Sequence, residues 1–393
     1  MDTLALPPLS LYVHMPWCVR KCPYCDFNSH ALREQPLPER AYVDALLRDL
    51  EDELALARDR ALVSIFIGGG TPSLFSAEAI ARLLDGIRAR IAWRDDIEIT
   101  LEANPGTVEH GRFSAYRTAG VNRLSLGIQS FADAKLTALG RIHDGREARQ
   151  AVATAQHAGF TNLNLDLMFA LPGQDLEACL ADLTEAIALA PSHLSFYQLT
   201  LEPNTEFAVR PPTLPDDDLA WAMQEAGSAL LERGGYRQYE VSAYAIAGQD
   251  CRHNRNYWEF GDYLAIGAGA HGKYTLPELG VVRRRTRLRQ PRQYLASTPG
   301  RIAEDRSIAR DALGFEFFLN TLRLTEGFPR TLLPRRTGLA WNDYASLLAE
   351  ATDDGLLEPD TGDDWIRPSA IGRRFLNNLI ERFLTDETNP PHG

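Results

Sequence analysis

Short apolar or alternating runs recur along the first half of the chain, separated by longer stretches with the apolar period of a helix. Six runs have the length and pattern of buried strands: 10–16, 62–70, 97–105, 123–131, 163–173 and 193–203. Helical periodicity is found at 38–59, 76–92, about 107–119, 144–158 and 174–190. Such a sustained strand–helix alternation predicts an α/β fold with a parallel sheet. We expect a partial (β/α)6 TIM-like barrel, with an open doubly wound sheet as the alternative.

The pattern changes after a further predicted helix at about 215–233, which ends at a pair of glycines. YRQYEVSAYAI predicts one more strand, whereas the aromatic, glycine-rich stretch 251–274 is typical of irregular structure. A small hairpin at 356–368 between helices resembles a winged helix in outline. We therefore predict three parts: a core barrel over 1–235, a flanking segment over 236–306 and a smaller, mostly helical, winged-helix-like region over 307–393.

The net charge of −12 argues against a nucleic-acid partner. The acidity is strongest at 350–364, in the winged-helix-like region, where seven Asp or Glu residues occur without any Lys or Arg. No apolar run approaches the roughly 18 residues of a membrane span, and the N-terminus has no signal-peptide pattern. We expect a cytoplasmic protein with reduced thiols, without a nucleic-acid partner and without an integral membrane segment.

Three of the five cysteines lie in CVRKCPYC, at Cys18, Cys22 and Cys25, directly after the first predicted strand. Their number and spacing do not predict a disulfide framework. A zinc site needs a fourth ligand, which His14 or His30 could supply, although the spacing is not that of a zinc ribbon. A [4Fe–4S] cube, by contrast, can be held at three corners, which leaves one iron open. On that interpretation the missing fourth thiol is a functional feature.

C-x3-C-x2-C with an aromatic residue, Tyr24, just before the last cysteine resembles the signature of the radical S-adenosylmethionine (SAM) family. The resemblance implies that SAM binds the open iron through its amino and carboxylate groups. It also implies that the reduced cluster passes an electron to the sulfonium, so an electron donor for the cluster is an expected partner. Arg20 and Lys21 lie between the first two cysteines and are expected to favour the thiolate form that binds iron.

Polar residues at the ends of the later predicted strands extend this resemblance. GGGTP at 68–72 is by itself typical of a tight turn, but in the family this motif approaches SAM, which implies contacts from Gly69, Gly70 and Thr71. The order and spacing of the others resemble the coproporphyrinogen-oxidase-like branch of the family. That resemblance implies SAM contacts by six more residues: Tyr12, Tyr24, Glu102, Gln129, Arg141 and Asp166. Carboxylates suit ribose hydroxyls, and an arginine suits the SAM carboxylate.

Two groups of that branch share this layout: oxygen-independent coproporphyrinogen III dehydrogenases and heme chaperones of the HemW type. The dehydrogenases have a further cysteine two residues after the cluster motif, where this chain has Phe27, and an N-terminal extension that this chain is expected to lack. HNRNYW at 253–258 matches the HNxxYW motif of the chaperones. The resemblance implies a chaperone that binds heme and transfers it to acceptor hemoproteins such as respiratory enzymes. The alternative is oxidative decarboxylation of coproporphyrinogen III.

The HNRNYW segment is where we expect the heme-iron ligand. His253 is the first choice, because imidazole is a good axial ligand, and Tyr257 and Trp258 could lie along the porphyrin face. Cys251 is a competing ligand and His271 a third candidate. The alternative is a structural loop, in which the polar side chains satisfy backbone groups and the two aromatic rings fill the core.

A basic run, Arg283 to Arg285 with Arg287 and Arg289, stands out in an acidic chain. Such residues are most often solvated side chains of a strand. The alternative is that they neutralise heme propionates or an acidic acceptor protein.

Overall fold

The computed structural model describes residues 4–32, 36–106, 112–297 and 299–384. Its strands, in chain order, are β1 Leu9–Met15, β2 Trp17–Cys18, β3 His30–Ala31, β4 Leu62–Gly69, β5 Trp93–Ala103, β6 Arg123–Gln129, β7 Asn162–Phe169, β8 His193–Gln198, β9 Arg237–Glu240, β10 Ala243–Ala245, β11 Asp262–Ile266, β12 His271–Leu276, β13 Val281–Arg287, β14 Ile302–Ser307, β15 Phe328–Pro329 and β16 Trp365–Ile366.

The helices are α1 Glu39–Glu51, α2 Leu54–Ala57, α3 Ala77–Arg88, α4 Phe113–Ala119, α5 Asp133–Ala138, α6 Gly145–His157, α7 Leu176–Ala188, α8 Glu206–Val209, α9 Asp217–Arg233, α10 Arg252–Trp258, α11 Pro291–Ala296, α12 Arg310–Thr321, α13 Leu332–Thr337, α14 Ala345–Asp353, α15 Ala370–Arg374 and α16 Leu376–Glu381. Within the described ranges, none of these helices is both long and apolar enough to cross a membrane.

A twelve-stranded sheet organises the chain, in the order β14-β13-β12-β11-β1-β4-β5-β6-β7-β8-β10-β9. The six strands predicted from the sequence, β1 and β4 to β8, lie side by side in chain order, and each pairs in parallel with its neighbour. They form the predicted parallel-rich α/β core. On the other side of β1, β11 adds a further parallel strand, and β12 to β14 continue the sheet in antiparallel pairs.

The two faces of β1 differ in chemistry because side chains alternate along a strand. Leu9, Leu11 and Val13 are fully buried in the main hydrophobic core with residues of α1 and α3. Ser10, Tyr12 and His14 lie on the opposite face, which we call the inner face. Helix α3 has the complementary pattern: four apolar residues, Ile80, Leu83, Leu84 and Ile87, are buried in the same core. The alternation of apolar and polar residues thus places the helices on the outer face of the sheet and the polar side chains on the inner face.

Two local predictions were wrong. The stretch 251–274, predicted to be irregular, contains α10, β11 and most of β12. All five residues of β11 are buried, so the strand shows none of the alternation expected of a half-buried strand. YRQYEVSAYAI forms two short strands, β9 and β10, rather than one, because the chain turns at 241–242. Of the helix predicted at about 107–119, residues 113–119 are helical, and 107–111 lie outside the described residues.

The C-terminal helices enclose a second apolar core, built largely of residues between Ile308 and Phe383. The predicted hairpin at 356–368 is present in outline, since Leu357 bridges Pro368 in antiparallel fashion. One continuous sheet runs from residue 9 to residue 307, and the three-part division of the chain stays a prediction.

Candidate functional site

A cavity of about 150 Å³ opens at the C-terminal ends of the parallel strands, which we call the mouth of the barrel. Every residue predicted to bind the cluster or SAM lines it, except Tyr12. The lining residues among them are Cys18, Cys22, Cys25, Tyr24, Gly69, Gly70, Thr71, Glu102, Gln129, Arg141 and Asp166. A larger groove of about 780 Å³ lies between α9 and α15 and contains none of these residues.

The cysteine loop is fastened to the barrel at both ends. The N–H of His30 donates to the carbonyl of Pro16 at 2.7 Å, and β2 pairs with β3 beyond it. Within the loop, Cys25 N–H donates to the Cys22 carbonyl at 3.1 Å. Asn28 donates to the carbonyls of Ala268 and Arg289, which ties the loop to the flanking segment. The thiol of Cys18 thus lies at the end of β2, and those of Cys22 and Cys25 lie on the short loop that follows and is held by these contacts.

Burial changes the expected chemistry of the thiols. It raises the pKa of Cys18 and Cys25, and the partly compensating hydrogen bonds come from Thr71 and Ser29. The charge of Lys21 lowers the pKa of Cys25, in the direction predicted for a nearby basic residue, but burial has the larger and opposite effect. Iron must displace protons from these thiols when it binds.

His14, one of the two candidate fourth ligands for zinc, is not available to bind a metal. His14 Nε2 lies 2.9 Å from the carbonyl of Asn28, and Nδ1 lies 2.9 Å from the hydroxyl of Tyr12. Both ring nitrogens are thereby engaged. Across the described ranges, no three His, Cys, Asp or Glu side chains are placed to hold a single metal ion.

GGGTP comprises the last two residues of β4 and the turn that follows, and Gly69 to Pro72 line the cavity. Gly69 N–H donates to Glu102 Oε2 at 3.0 Å, and Gly69 has φ +112, a conformation that favours glycine. A Cβ there would lie 2.5 Å from the ring of His14. Thr71 N–H donates to the carbonyl of Trp17 at 2.7 Å, which joins this turn to the cysteine loop. The motif therefore forms a tight turn and also lines the cavity, so the structural and the cofactor-binding interpretations of GGGTP are compatible.

The two carboxylates, Glu102 and Asp166, face the same cavity. Burial, followed by the charge of Asp166, raises the pKa of Glu102 to about 7. Burial also raises the pKa of Asp166, against hydrogen bonds that include Ser125 Oγ at 3.1 Å and Asn164 Nδ2 at 2.8 Å. The raised pKa values show that the protein does not fully stabilise these carboxylates in the charged form. A ligand with hydroxyl groups could donate the missing hydrogen bonds.

Arg141 reaches across the mouth to the cysteine loop. It donates to Asn104 Oδ1 at 2.5 Å, to the Gly127 carbonyl at 2.8 Å and to Cys22 Sγ at 3.7 Å. Asn104 in turn donates to Thr71 Oγ1 at 2.9 Å. Arg141 is therefore held in place before any ligand arrives.

Several residues of the lining were not predicted from the sequence, among them Asn104 and Tyr197. The hydroxyl of Tyr197 donates to Gln129 Oε1 at 2.8 Å, and Gln129 has a strained backbone with φ +68. Asn104 lies near the C-terminal end of the third predicted strand, 97–105, so its position was visible in the sequence. Tyr197 is near the end of the sixth strand, and alternation along that strand was the available signal.

Tyr12 lies on the inner face, below the cavity. Its hydroxyl is bonded to His14, and burial followed by the charge of Glu102 raises its pKa. It belongs to the support of the mouth rather than to the described lining.

His253 lies on α10, which packs against the N-terminal halves of the strands, and its ring lies 6.4 Å from that of Tyr12 on the inner face. We call this end the floor. Nδ1 of His253 lies 3.0 Å from Ser64 Oγ, and the ring lies 5.1 Å from Phe66. Only 9% of its surface is exposed, and burial lowers its pKa to about 3. Cys251 is also fully buried, and burial raises its pKa to about 12.

The basic run is mostly committed to internal ion pairs. Arg287, with a side chain only 1% exposed, donates to Asp49 at 2.7 Å and Glu53 at 2.6 Å. Arg285 also donates to Glu53 at 2.5 Å. Neither solvent nor a heme propionate is needed to explain these two residues. Arg289 differs, because it is exposed.

The chain is similar to known proteins over most of its length. The Radical SAM superfamily model matches residues 12–185, and the HemN C-terminal domain model matches residues 308–371. "Heme chaperone HemW" of Haemophilus influenzae is 52% identical over 386 residues, which cover 97% of this chain and 99% of that protein. The protein of the same name from Escherichia coli is 52% identical over 382 residues, with the same coverage of 97% and 99%.

Among solved structures, coproporphyrinogen III oxidase (HemN) from Escherichia coli matches with a TM-score of 0.80 and 24% identity, over 97% of this chain and 91% of that one. This likeness confirms the predicted fold. The superfamily match confirms the predicted [4Fe–4S] cluster and SAM as cofactors, and the three thiols, the glycine turn and the paired carboxylates around one cavity fit both. The chain belongs to the radical SAM superfamily and, within it, to the HemW family.

Proposed function

We propose that this protein is a cytoplasmic heme chaperone, which binds heme and transfers it to acceptor hemoproteins such as respiratory enzymes. The proposal rests chiefly on the 52% identity to two full-length proteins named heme chaperone HemW. Phe27 adds to it, because this residue lines the mouth where the dehydrogenase group has a cysteine.

The mouth holds the cofactors in this proposal. Cys18, Cys22 and Cys25 bind the cluster, which together with SAM supplies one-electron chemistry when reduced. The residues around them bind and orient SAM. Gly69 and Gly70 place their backbone groups at the cavity, and both must be glycine because a Cβ would clash with the ring of His14 or with the carbonyls of Met15 and Trp17. Thr71, fixed by Asn104, borders the same turn.

The other side chains divide the polar groups of SAM among them. Glu102 and Asp166 accept hydrogen bonds from the ribose hydroxyls, and Arg141 pairs with the carboxylate. Tyr24 and Gln129 complete the walls, whereas Tyr12 supports the pocket from below through His14. An external electron donor reduces the cluster.

The heme ligand is the least constrained part of the proposal. His253 remains a candidate from the motif, but its ring is enclosed by Ser64 and Phe66. Ligation of heme iron by this residue requires α10 to leave the floor. Cys251 shares that requirement, since it is fully buried and donates to Glu98.

One experiment tests the function. The reconstituted protein is loaded with heme, separated from free heme by gel filtration, and mixed with a heme-free acceptor enzyme, whose activity is followed. We expect activity to return faster than with an equal concentration of heme bound to serum albumin. No heme retention, or no transfer beyond the albumin control, would contradict the proposal.

A parallel incubation tests the alternative. The reduced protein with SAM and coproporphyrinogen III is expected to form no protoporphyrinogen IX. Formation of that product at a catalytic rate would replace the chaperone by a dehydrogenase.

A further inference from the structure

A row of polar side chains crosses the inner face of the sheet behind the cavity at the mouth. In the sheet register, Ser125 pairs with Asn164, and Asn164 pairs with His193. Directly paired residues project to the same face of a sheet, and so does Asp166, two residues after Asn164. Asn164 and His193 are only 2% and 1% exposed, and neither lines the cavity. They lie behind Asp166, which does line it.

The amide of Asn164 is saturated with hydrogen bonds. Its Nδ2 donates to Asp166 Oδ1 and to Ser125 Oγ, each at 2.8 Å. Its Oδ1 accepts from Ser195 Oγ at 3.2 Å and lies 2.6 Å from His193 Nδ1. A side-chain amide has two N–H donors and two acceptor lone pairs, so all four are used. The donor side of Asn164 is thereby fixed toward the carboxylate of Asp166.

The partners of His193 fix its tautomer. Its Nδ1 faces Asn164 Oδ1, which can only accept, so Nδ1 carries the proton. The other ring nitrogen, Nε2, then accepts from the hydroxyl of Tyr239 at 2.9 Å. That hydroxyl in turn accepts from the backbone N–H of Cys251, the residue before α10. Burial lowers the pKa of His193 well below its usual value, which keeps the ring neutral and this tautomer in place.

These bonds form a chain in which each member donates to the next, from the start of α10 to Asp166. At its end, Asn164 donates to one carboxylate oxygen of Asp166, and Ser125 Oγ donates to the other at 3.1 Å. Two donors on different oxygens fix the plane of the carboxylate. With the amide of Asn164 reversed, two acceptors would face each other and repel. The orientation of Asp166 at the cavity therefore depends on the proton of His193.

We propose that Asn164 and His193 are positioning residues of the SAM site, which hold Asp166 in the orientation that accepts from the ribose hydroxyls. Asn164 acts directly on the carboxylate, and His193 acts through Asn164. The inference rests on the role proposed for Asp166 in SAM binding and is independent of heme transfer. It adds two residues that SAM itself does not touch.

SAM binding to the reconstituted full chain tests the role of Asn164. Calorimetry gives the affinity, and the iron content and the thermal unfolding curve are recorded for each variant. Asn164→Asp keeps the size of the side chain and the acceptor for His193, but it replaces the donor to Asp166 by a second carboxylate oxygen. We expect SAM affinity to fall by roughly tenfold or more, with the iron content of wild type.

The same substitution elsewhere in the barrel provides the matched control. Asn122, just before β6, donates to the Ile97 carbonyl and accepts from the Ile99 N–H, each at 2.7 Å. Asn122→Asp therefore also replaces a donor by a carboxylate oxygen, but it lies outside the cavity lining. We expect lower thermal stability from this variant and unchanged SAM affinity.

Two variants of similar size test His193. His193→Leu removes the donor to Asn164 and is expected to weaken SAM binding severalfold. His193→Asn keeps an N–H donor near the position of Nδ1 and is expected to recover most of the affinity. In an Asp166→Ala background, His193→Leu is expected to cause no further loss, because the effect runs through Asp166. A purely structural histidine would lower stability without this dependence.

The outcomes separate this inference from the role of Asp166 on which it rests. If Asp166→Ala binds SAM as tightly as wild type, that role fails, and the positioning residues fail with it. If Asp166→Ala loses affinity whereas Asn164→Asp and His193→Leu keep it, only this inference is overturned. A loss from His193→Leu of equal size with and without Asp166 would overturn it as well.

Discussion

Two glutamates on the inner face of β5, four residues apart, have opposite surroundings. Glu98, at the floor, accepts hydrogen bonds from the thiol of Cys251 at 3.4 Å and from the N–H groups of Arg252 and His253, each at 3.2 Å. These donors come from the start of α10. The floor glutamate is thereby satisfied by the protein itself.

Glu102, at the mouth, accepts from the N–H of Gly69 at 3.0 Å, and its pKa is raised to about 7. It lines a cavity beside Asp166, which has a raised pKa as well. The comparison teaches that residue type does not identify a binding group. Acceptors whose remaining capacity faces a cavity indicate a ligand, whereas acceptors saturated by neighbouring elements indicate a structural joint.

The largest effect should follow from removing a thiol at the mouth. Cys18→Ala, Cys22→Ala or Cys25→Ala each leaves two cluster ligands, so we expect loss of the [4Fe–4S] absorption and of nearly all bound iron after anaerobic reconstitution. Cys179→Ala is the matched control, because this buried helical thiol lies outside the cavity. Full iron content in any of the first three variants would contradict the assignment.

Substitution of the floor glutamate, Glu98, should lower the stability of the protein and leave its cofactor content unchanged. Glu98→Ala leaves three donors without their acceptor, and we expect the free energy of unfolding to fall by about 3 kcal/mol or more. Urea unfolding of the cofactor-free protein measures this change. An unaltered unfolding midpoint would show that the floor is not the structural joint that its contacts indicate.

Substitution of the mouth glutamate, Glu102, should have the opposite effect: it should stabilise the cofactor-free protein. The pKa of Glu102, about 7, exceeds its ordinary value of 4.5, so the folded state holds this proton more tightly than the unfolded state does. Stability is therefore lost as the pH rises from 4.5 through 7. Glu102→Gln removes this loss and should stabilise the cofactor-free protein by about 3 kcal/mol at pH 8, with little effect at pH 4.

Urea unfolding at both pH values gives this difference directly. The same substitution is expected to weaken SAM binding, measured by calorimetry on the reconstituted protein. Destabilisation of equal size at both pH values would mean that Glu102 is a structural group like Glu98.

The mouth was predictable from the sequence because its residues obey one local rule. The carboxyl ends of parallel strands meet at one edge, so Gly69, Glu102 and Gln129, each at or near the end of a predicted strand, had to converge. Asp166 lies farther from the end of its strand and lines the same cavity. The rule needs only correct strand assignments. Asn104 and Tyr197 follow the same rule and were missed because the family motif does not include them.

The floor and the flanking strands were not predictable, for two physical reasons. Helix α10 has only seven residues, too short to be marked by periodicity, and is held by tertiary bonds such as Asn256 Nδ2 to Ser10 Oγ at 2.9 Å. Arg287 pairs with Asp49 and Glu53, which lie in α1 or just after it, more than 200 residues away, and Arg285 shares Glu53 in addition to its pair with Asp305. A local sequence pattern does not indicate contacts between residues so far apart in the chain.

The smallest effect should come from a residue that the motif omits. Tyr197→Phe removes only the hydroxyl that donates to Gln129 Oε1 at 2.8 Å and keeps the ring on the cavity wall. Without that bond the side chain of Gln129 is less well oriented, and we expect SAM affinity to fall by about fivefold, which corresponds to about 1 kcal/mol. Tyr236→Phe is the matched control, because its hydroxyl donates to the Pro191 carbonyl away from the cavity. Equal SAM affinity in the two variants would limit the mouth to the residues that the family motif already names.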